Sequence, residues 1–235
     1  MTPRTLAVVP AAGEGRRFGG PEGKQFVSLA GSPLLAQTLR PFQRCDCIEE
    51  ILVVVPPLAV ERVWRDIVQA YGIDKVKKVV PGGQRRQDSV RLGLEAAGPG
   101  WDLVVIHDGA RPLITEEMVA RCVQETRHKG ATFMGVRAID TIKQVDGSGL
   151  VVKTLERETL WMVQTPQTFR YELIARAHRD AREAGFHGTD DAALVEWLGH
   201  DVWVIPGSYE NIKVTTRMDL CVAEEILALR RVGLR

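Results

Sequence analysis

The sequence predicts an α/β fold in which a mainly parallel β-sheet is covered by helices on both faces. Apolar runs rich in β-branched residues alternate with amphipathic helical patterns, which is typical of such sheets. Three segments rich in glycine or charge, residues 10–24, 82–88 and 107–112, each follow one of the apolar runs. Ligands of these sheets bind beyond the carboxyl ends of the strands, so we expect the three segments to form one site.

Hydrophobic periodicity assigns the individual elements in chain order. Strands are predicted at residues 6–9, 51–55, 76–80, 103–106, 132–136 and 202–205. Helices are predicted at residues 33–43, 59–71, 87–97, 115–129, 171–184 and 216–231, with a further one capped at Thr189 or Asp190. Pro41 should bend or end the first helix, because a proline inside a helix removes a backbone hydrogen bond.

Residues 137–164 interrupt this alternation and predict a β-arm that is inserted into a single domain of residues 1–235. Two short strand-like runs, residues 142–145 and 150–154, flank Asp146-Gly147-Ser148-Gly149, which is a strong hairpin signal. An isolated two-stranded hairpin is only marginally stable in water. We therefore expect the arm to pack against another surface, most simply a second copy of the chain in a homodimer.

The composition is typical of a soluble globular protein and shows no global preference for polyanions. The 235 residues are 45% hydrophobic and 26% charged, and the formal net charge is +1. This balance indicates neither a nucleic-acid partner nor an anionic membrane surface. The first residues show no signal-like pattern, and no apolar run reaches the roughly 20 residues of a membrane span. We expect a cytoplasmic protein.

The cysteines do not form a recognisable framework. Cys45 and Cys47 are too close in sequence for the usual zinc spacing, and Cys122 and Cys221 stand alone. The sequence therefore predicts reduced, partly buried thiols, as expected in a cytosolic protein.

The segment of residues 10–24 has the composition of a phosphate-binding loop. It follows an apolar strand and combines five glycines with Arg16, Arg17 and Lys24. Glycines let backbone N–H groups turn inward as an anion-binding nest, and fixed cations suit the nest to a polyphosphate. The alternative is a flexible surface loop with solvated charges. Cations crowded among glycines directly after a buried strand favour the phosphate interpretation.

Two common phosphate loops are excluded by spacing. A dinucleotide fingerprint needs a third glycine where Phe18 stands, and it opens directly into a helix. A Walker A loop needs four residues between its glycines, and the segment from Gly19 to Gly23 has one too few. Gln25 also replaces the hydroxyl that binds magnesium in that loop. Dehydrogenases and P-loop ATPases are therefore disfavoured.

Seven motifs in order resemble those of the 2-C-methyl-D-erythritol 4-phosphate cytidylyltransferase family. The resemblance covers residues 6 to 225 or so, and its motifs are Pro-Ala-Ala-Gly-x-Gly-Arg-Arg, Gly-Gly-x-x-Arg-x-Asp-Ser-Val, His-Asp-x-Ala-Arg-Pro, Asp-Thr-Ile-Lys, Thr-Pro-Gln, Thr-Asp-Asp and Asn-Ile-Lys-Val-Thr. It implies a Rossmann-like sheet with a projecting arm, a homodimer joined by arm exchange, and Mg²⁺ bound mainly through CTP. The implied reaction joins CTP to methylerythritol phosphate in the non-mevalonate isoprenoid pathway and releases pyrophosphate.

The same resemblance implies roles for individual residues. Arg17 and Lys24 match transition-state stabilisers, whereas Arg157 (from the partner subunit) and Lys213 match groups that position the acceptor phosphate. Substrate contacts are also implied for Thr141 and Thr165, and Asp108 and Arg111 are implied to line the shared pocket. The implied nucleotide-binding residues are Pro10, Ala11, Ala12, Gly13, Gly15, Arg16, Arg17, Lys24, Gly83, Ser89 and Asp108.

Several of these residues have a structural interpretation when they are considered without the family. Arg157 stands between Glu156 and Glu158 and then indicates a solvated salt-bridge partner. Lys213 carries little signal alone. Thr189-Asp190-Asp191 indicates a helix cap in the first place and a substrate contact only in the second.

The segment that follows the fourth predicted strand has structural interpretations of the same kind. Asp108 would cap the turn after that strand, although its place at a strand end favours a pocket. Arg111 would pair with a neighbouring carboxylate. His107 is expected to be a satisfied core histidine rather than a catalytic group.

Two residues depart from the family pattern. Gly23 stands where many relatives have proline, which affects how Lys24 is presented. Gln84 stands where some relatives have aspartate, which affects how the base is recognised. Neither position supplies a group that the chemistry requires.

The implied chemistry needs cations rather than a general base. An ionised acceptor phosphate attacks the α-phosphorus of CTP in line, so both reactants are anions. Two alternatives remain at this stage. One is a cytidylyltransferase for ribitol 5-phosphate or another alcohol phosphate, and the other is a nucleotide sensor without catalytic activity.

Overall fold

The computed structural model describes residues 3–13 and 23–233, and its largest element within these ranges is a seven-stranded sheet. The described strands are β1 (Thr5–Pro10), β2 (Ser28–Leu29), β3 (Ser32–Pro33), β4 (Glu50–Val55), β5 (Val76–Pro81), β6 (Leu103–Ile106), β7 (Ala131–Arg137), β8 (Lys143–Val145), β9 (Val151–Thr154), β10 (Trp161–Arg170) and β11 (Trp203–Pro206). The large sheet has the order β11-β7-β10-β6-β1-β4-β5. Its strand pairs are parallel except for those of β10, which runs antiparallel to both neighbours.

Helices connect the strands. The described α-helices are α1 (Leu34–Arg44), α2 (Val60–Val63), α3 (Arg86–Ala97), α4 (Glu116–Lys129), α5 (Tyr171–Glu183), α6 (Asp191–Trp197) and α7 (Arg217–Arg231). A π-helical segment, Trp64–Gln69, continues α2, and short 3₁₀ turns lie at Lys24–Phe26, Pro57–Ala59 and Arg157–Thr159. Within these described residues, none of the helices combines the length and apolar character needed to cross a membrane.

The central strand β1 shows why the sheet is covered on both faces. All six of its residues are buried. Leu6 and Val8 point into a core formed with α3, α5 and α6, whereas Ala7 and Val9 point into the core on the opposite face, formed with α1 and α4. Burying a side chain of this size contributes about 1.5–3 kcal/mol. The predicted α/β fold is therefore confirmed.

The predicted bounds of the arm were too wide, because β10 belongs to the main sheet. Its residues pair with β6 on one side and with β7 on the other. The strand carries polar residues and a proline, Gln164-Thr165-Pro166-Gln167-Thr168, so it lacks an apolar pattern. The buried Gln167 is satisfied within the chain, since it donates to Asp190 at 2.8 Å and accepts from the Asp191 N–H at 3.0 Å.

The hairpin within the arm has the predicted turn. β8 and β9 pair antiparallel, and Asp146 Oδ1 accepts hydrogen bonds from the Ser148 and Leu150 N–H groups at 2.9 and 3.0 Å. All residues of both strands are exposed within the single chain. The hairpin thus projects from the sheet without burying either face against its own chain.

The observed helix ends test two further predictions, the residue that caps α6 and the effect of Pro41 on α1. Asp190 rather than Thr189 caps α6, since its side chain accepts from the Ala193 N–H at 2.9 Å. Pro41 lies inside α1, which continues to Arg44. The small β2–β3 hairpin that precedes α1 was not predicted from the sequence.

Candidate active site

A cavity of about 880 Å³ lies at the carboxyl ends of the central parallel strands. All three segments singled out in the sequence contribute to it, as expected. Pro56 and Pro57, which follow β4, and Leu34 and Thr215 were not predicted to take part. The described lining residues are Pro10, Ala11, Ala12, Gly13, Lys24, Gln25, Leu34, Pro56, Pro57, Gly82, Gly83, Gln84, Arg85, Arg86, Ser89, Asp108, Gly109, Ala110, Lys213 and Thr215.

Backbone hydrogen bonds extend from the sheet into these loops and hold them together. The Ala11 N–H donates to the Val54 carbonyl at 2.6 Å, and the Gly109 N–H donates to the Pro10 carbonyl at 3.0 Å. A Cβ at Gly109 would lie 2.8 Å from the Ala11 Cβ, so a larger residue would push the two loops apart. The cavity floor therefore depends on close backbone approach.

Ser89 orders the loop that precedes α3. Its hydroxyl accepts from the Gly83 N–H at 3.2 Å and donates to the Arg85 carbonyl at 3.1 Å. The Arg85 N–H in turn donates to the Asp88 carboxylate at 3.3 Å. The predicted nucleotide residues Gly83 and Ser89 thus stand together at the start of a helix, where free N–H groups favour anions.

Asp108 is the centre of a charged network at the cavity wall. Its side chain is 9% exposed and accepts from Arg86 Nε and Lys213 Nζ, both at 2.7 Å. Arg86 Nη1 also donates to Asp191 at 2.7 Å, and the other oxygen of Asp191 lies 3.1 Å from His178 Nε2. Arg86 therefore bridges the two carboxylates of Asp108 and Asp191, and Asp108 in turn binds Lys213.

The network keeps both carboxylates ionised. Burial alone raises the pKa of Asp108, but the charges of Arg86 and Lys213 outweigh burial and hold that pKa far below its ordinary value. Burial likewise raises the pKa of Asp191, and Arg86 and the hydrogen bond from His178 lower it by more. Burial lowers the pKa of Arg86, and the two carboxylates raise it above its ordinary value.

His107 is a neutral core histidine, as expected from the sequence. Burial lowers its pKa to about 4. Its Nε2 lies 3.1 Å from the Arg111 carbonyl, which accepts only, so Nδ1 accepts from the Thr165 hydroxyl at 3.1 Å. Thr165 Oγ1 also accepts from the Asp108 N–H at 3.0 Å. Thr165 is thus buried behind Asp108 and holds its turn in place.

Arg111 lies behind the cavity lining, next to the segment that carries Lys213. Its Nη1 donates to the Asn211 carbonyl at 2.7 Å, and the Val214 N–H donates to the Ala110 carbonyl at 2.8 Å. Asn211 is fully buried and donates to the Thr165 carbonyl at 2.9 Å. These bonds fix the position of Lys213.

Three residues of this site received no specific role from sequence reasoning. Arg86 and Asn211 were only quoted within motifs, and Asp191 was considered as part of a helix cap. Their presence in those ordered motifs was the one signal that could have identified them. The structure shows that each is bonded to a residue of the cavity wall or of the turn behind it.

Lys24 lines the cavity from the 3₁₀ turn Lys24–Phe26. The preceding Gly23 has φ +78°, a value that proline cannot adopt because its ring fixes φ near −65°. The departure at Gly23 is therefore linked to a particular backbone conformation beside Lys24. Three other predicted loop residues, Gly15, Arg16 and Arg17, lie outside the described residues.

Thr141 and Arg157 lie in the arm and do not line the cavity of their own chain. Arg157 is exposed, and its Nη1 donates to the Ile139 carbonyl at 2.7 Å. The arm therefore leaves both residues exposed on the surface of the single chain.

Comparison with known proteins relates this geometry to one family. The model of the family described as "IspD: 2-C-methyl-D-erythritol 4-phosphate cytidylyltransferase" matches residues 5–229. The enzyme of that name from Alkaliphilus oremlandii is 44% identical over 230 residues, covering 98% of both chains. The one from Pelotomaculum thermopropionicum is 45% identical over 228 residues, covering 97% of this chain and 96% of the relative.

Solved structures agree with the sequence comparison. A 4-diphosphocytidyl-2C-methyl-D-erythritol synthase from Anaerococcus prevotii superposes with a TM-score of 0.86 at 30% identity, covering 97% of this chain and 100% of the other. The cytidylyltransferase from Thermus thermophilus gives a TM-score of 0.76 at 33% identity, covering 94% and 98%. The match in fold and sequence is continuous over nearly the whole length. The chain therefore belongs to the 2-C-methyl-D-erythritol 4-phosphate cytidylyltransferase family.

Proposed function

We propose that this chain joins CTP to 2-C-methyl-D-erythritol 4-phosphate, giving the cytidine diphosphate alcohol and pyrophosphate. The family is one of nucleotidyltransferases in the non-mevalonate isoprenoid pathway. The observation that carries the proposal for this chain is the Lys213–Asp108–Arg86 network beside the glycine-lined cavity. It presents a fixed ammonium group next to a space large enough for two anionic reactants.

Catalysis rests on cations that offset repulsion between the reactants. In-line attack of the acceptor phosphate on the α-phosphorus builds up negative charge, which Lys24 and Arg17 stabilise in this proposal. The nucleophile is already an ionised phosphate, so it needs no base. His107 is suited to a structural role only, since it is buried, neutral and bonded at both ring nitrogens.

Lys213 positions the acceptor phosphate in this proposal. One of its three donor hydrogens is taken by Asp108, and its side chain remains 42% exposed toward the cavity. The ion pair with Asp108 therefore holds Lys213 in one place beside the cavity. Arg111, Asn211 and Thr165 act from behind as positioning residues.

The nucleotide is assigned to the side of the cavity formed by residues 10–13, Gly83 and Ser89. These positions present backbone groups and small side chains, which allow a base and a phosphate chain to approach closely. Gln84 also lines this side and is available to a base through its amide.

The lining fits a magnesium ion that is carried by the nucleotide rather than by a carboxylate cage. Asp108 is the single acidic side chain among the described lining residues, and both of its oxygens already accept from cations. Magnesium prefers oxygen ligands and retains its waters, so the triphosphate would hold it here. When bound, the ion neutralises charge on the phosphates.

We further propose a homodimer in which each arm reaches the partner's cavity. Val145, Leu150, Val151 and Val152 are each more than half exposed within one chain, which favours burial against a second copy. The arm also carries Thr141 and Arg157, whose proposed substrate contacts would then be made across the dimer. A cytoplasmic enzyme that uses neither nucleic acid nor membrane is in keeping with the net charge of +1.

A direct assay tests the reaction. The protein is incubated with each nucleoside triphosphate, methylerythritol phosphate and magnesium, and pyrophosphate release is measured. We expect release with CTP alone among the nucleotides, and a parallel reaction with ribitol 5-phosphate compares the acceptors. Clear preference for ribitol phosphate would overturn the assigned acceptor, and CTP binding without pyrophosphate release would instead identify a sensor.

A further inference from the structure

Two thiols contact each other at the end of the sheet opposite the cavity. Cys45 directly follows α1, and Cys47 lies in the turn that leads into β4. Their Sγ atoms are 2.7 Å apart, well inside the roughly 4 Å of an ordinary packing contact. The Ile48 N–H donates to the Cys45 carbonyl at 3.0 Å, so residues 45–48 form a tight turn that holds the pair together.

The pair is remote from the proposed chemistry. It precedes β4, whereas Pro56 and Pro57 line the cavity just beyond the other end of that strand. Six residues of extended chain span about 20 Å. Oxidation of the two thiols would therefore take place at the opposite end of the sheet from the proposed nucleotide site.

The two thiols differ in solvent exposure and are joined by a hydrogen bond. Cys45 is 2% exposed within the core, whereas Cys47 is only partly buried. The hydrogen bond with Cys47 lowers the pKa of Cys45 to about 7 in spite of burial and Glu116, and the Lys75 charge adds to this effect. The same hydrogen bond, together with burial, raises the pKa of Cys47. The hydrogen bond between the thiols thus favours loss of the first proton from Cys45 and disfavours loss of the second from Cys47.

We propose that Cys45 and Cys47 form a modification site, a dithiol that low-molecular-weight disulfides oxidise to an internal Cys45–Cys47 disulfide. The accessible Cys47 sulfur attacks the small disulfide, passes its proton to the adjacent Cys45 sulfur and expels one small thiolate. Cys45 then loses its proton and attacks Cys47 Sγ, expelling the second. The two protein thiols lose two electrons and two protons, and the small disulfide becomes two thiols.

The two other cysteines provide internal comparisons. Burial raises the pKa of Cys122 to about 12, so this thiol is inert. Cys221 is exposed on α7 and does not contact another cysteine of the described chain. It should therefore stop at a mixed disulfide with the small thiol, whereas the Cys45–Cys47 pair should proceed to ring closure.

Mass spectrometry of the full-length protein tests the proposal. The reduced protein is equilibrated with mixtures of reduced and oxidised glutathione at pH 7, alkylated, and digested with trypsin. Cleavage after Arg44 and Arg62 yields one peptide, residues 45–62, that contains both cysteines. We expect this peptide to become two hydrogen masses lighter and to lose both alkylation sites, while the Cys221 peptide acquires glutathione.

Two serine variants separate ring closure from simple thiol reactivity. In Cys45→Ser, which removes the resolving thiol, Cys47 should retain glutathione. In Cys47→Ser, the buried Cys45 should remain alkylatable only after unfolding. The proposal is wrong if the wild-type peptide keeps both thiols at ratios that fully modify Cys221. It is equally wrong if glutathione persists on Cys47 of the wild type, or if the pair instead cross-links two chains.

Discussion

At the residue scale, the site depends on how two buried carboxylates share their cations. Asp108 accepts from Arg86 and Lys213, and Asp191 accepts from Arg86 and His178. Ion pairs of this kind gain little net stability, but removing one partner costs about 3–5 kcal/mol because the other charge stays buried. We therefore infer that the main role of the network is to position Lys213 rather than to stabilise the fold.

Local sequence patterns predicted little of this charged network. The position of Asp108 at a strand end favoured a pocket role, but the role of Lys213 depended on the family resemblance, and Arg86 received no role. The partners of Arg86 lie 22 and 105 residues further along the chain. No helical or strand period links residues so far apart. Their chemistry therefore depends on which loops the folded sheet brings together.

Substitution of Lys24 tests the proposed electrostatic catalysis. In Lys24→Ala we expect kcat to fall about a hundredfold or more with a smaller change in KM, because the lysine stabilises charge that develops in the transition state. Arg17→Ala should behave alike. Steady-state kinetics measure both, and Lys129→Ala on α4 is a control for the loss of an exposed lysine. An unchanged kcat in the Lys24 variant would contradict the assignment.

At the scale of elements, β10 shows where pattern recognition fails. A strand in the middle of a sheet normally has apolar residues on both sides. Gln164, Thr165 and Gln167 are instead buried in β10 and use their polar groups to fix Asn211, His107 and the start of α6. The same polar residues that concealed the strand thus attach the site to the sheet.

A methyl group at Gly109 should separate the loops that follow β1 and β6. In Gly109→Ala the added Cβ meets Ala11, so we expect a raised KM for CTP and a lower Tm. Gly147→Ala is the matched control, because nothing lies within 4 Å of its added Cβ. Kinetics and thermal unfolding of both variants provide the comparison. Equal behaviour of the two would show that the loops can separate without cost.

Deletion of the exposed hairpin tests arm exchange. Removing residues 142–154 should give monomers with weak acceptor binding, because it removes the exposed apolar side chains that are proposed to pack against the second copy, and without the dimer Arg157 no longer reaches the partner's cavity. Sedimentation and the KM for methylerythritol phosphate measure the two effects. An intact dimer after the deletion would refute the exchanged arm.

At the scale of the whole molecule, the free energy of unfolding should depend on the protonation of His107. The folded chain has a pKa of about 4 at this histidine, whereas an unfolded histidine has 6.5. Below pH 6.5 the unfolded state therefore binds a proton that the folded state excludes. Stability should fall by about 3 kcal/mol as the pH drops from about 6.5 to about 4, and then this contribution levels off.

Urea unfolding across this pH range measures the effect, and His107→Gln is the comparison. In the variant, the free energy of unfolding should change much less with pH above pH 4.5. The same pH dependence of this free energy in both proteins would contradict the prediction. Direct titration of the imidazole by NMR gives a second test that does not depend on a folded variant. The His107 signal should not titrate above pH 5.

The sequence by itself determined the alternation of strands and helices, the presence of the hairpin, and the family. These features depend on local periodicity, turn chemistry and ordered motifs, all of which a linear pattern contains. Only the tertiary structure decided that β10 enters the main sheet, that Arg86 bridges Asp108 and Asp191, and that Cys45 contacts Cys47. Such contacts depend on chain packing and on the satisfaction of buried polar groups, which no local pattern encodes.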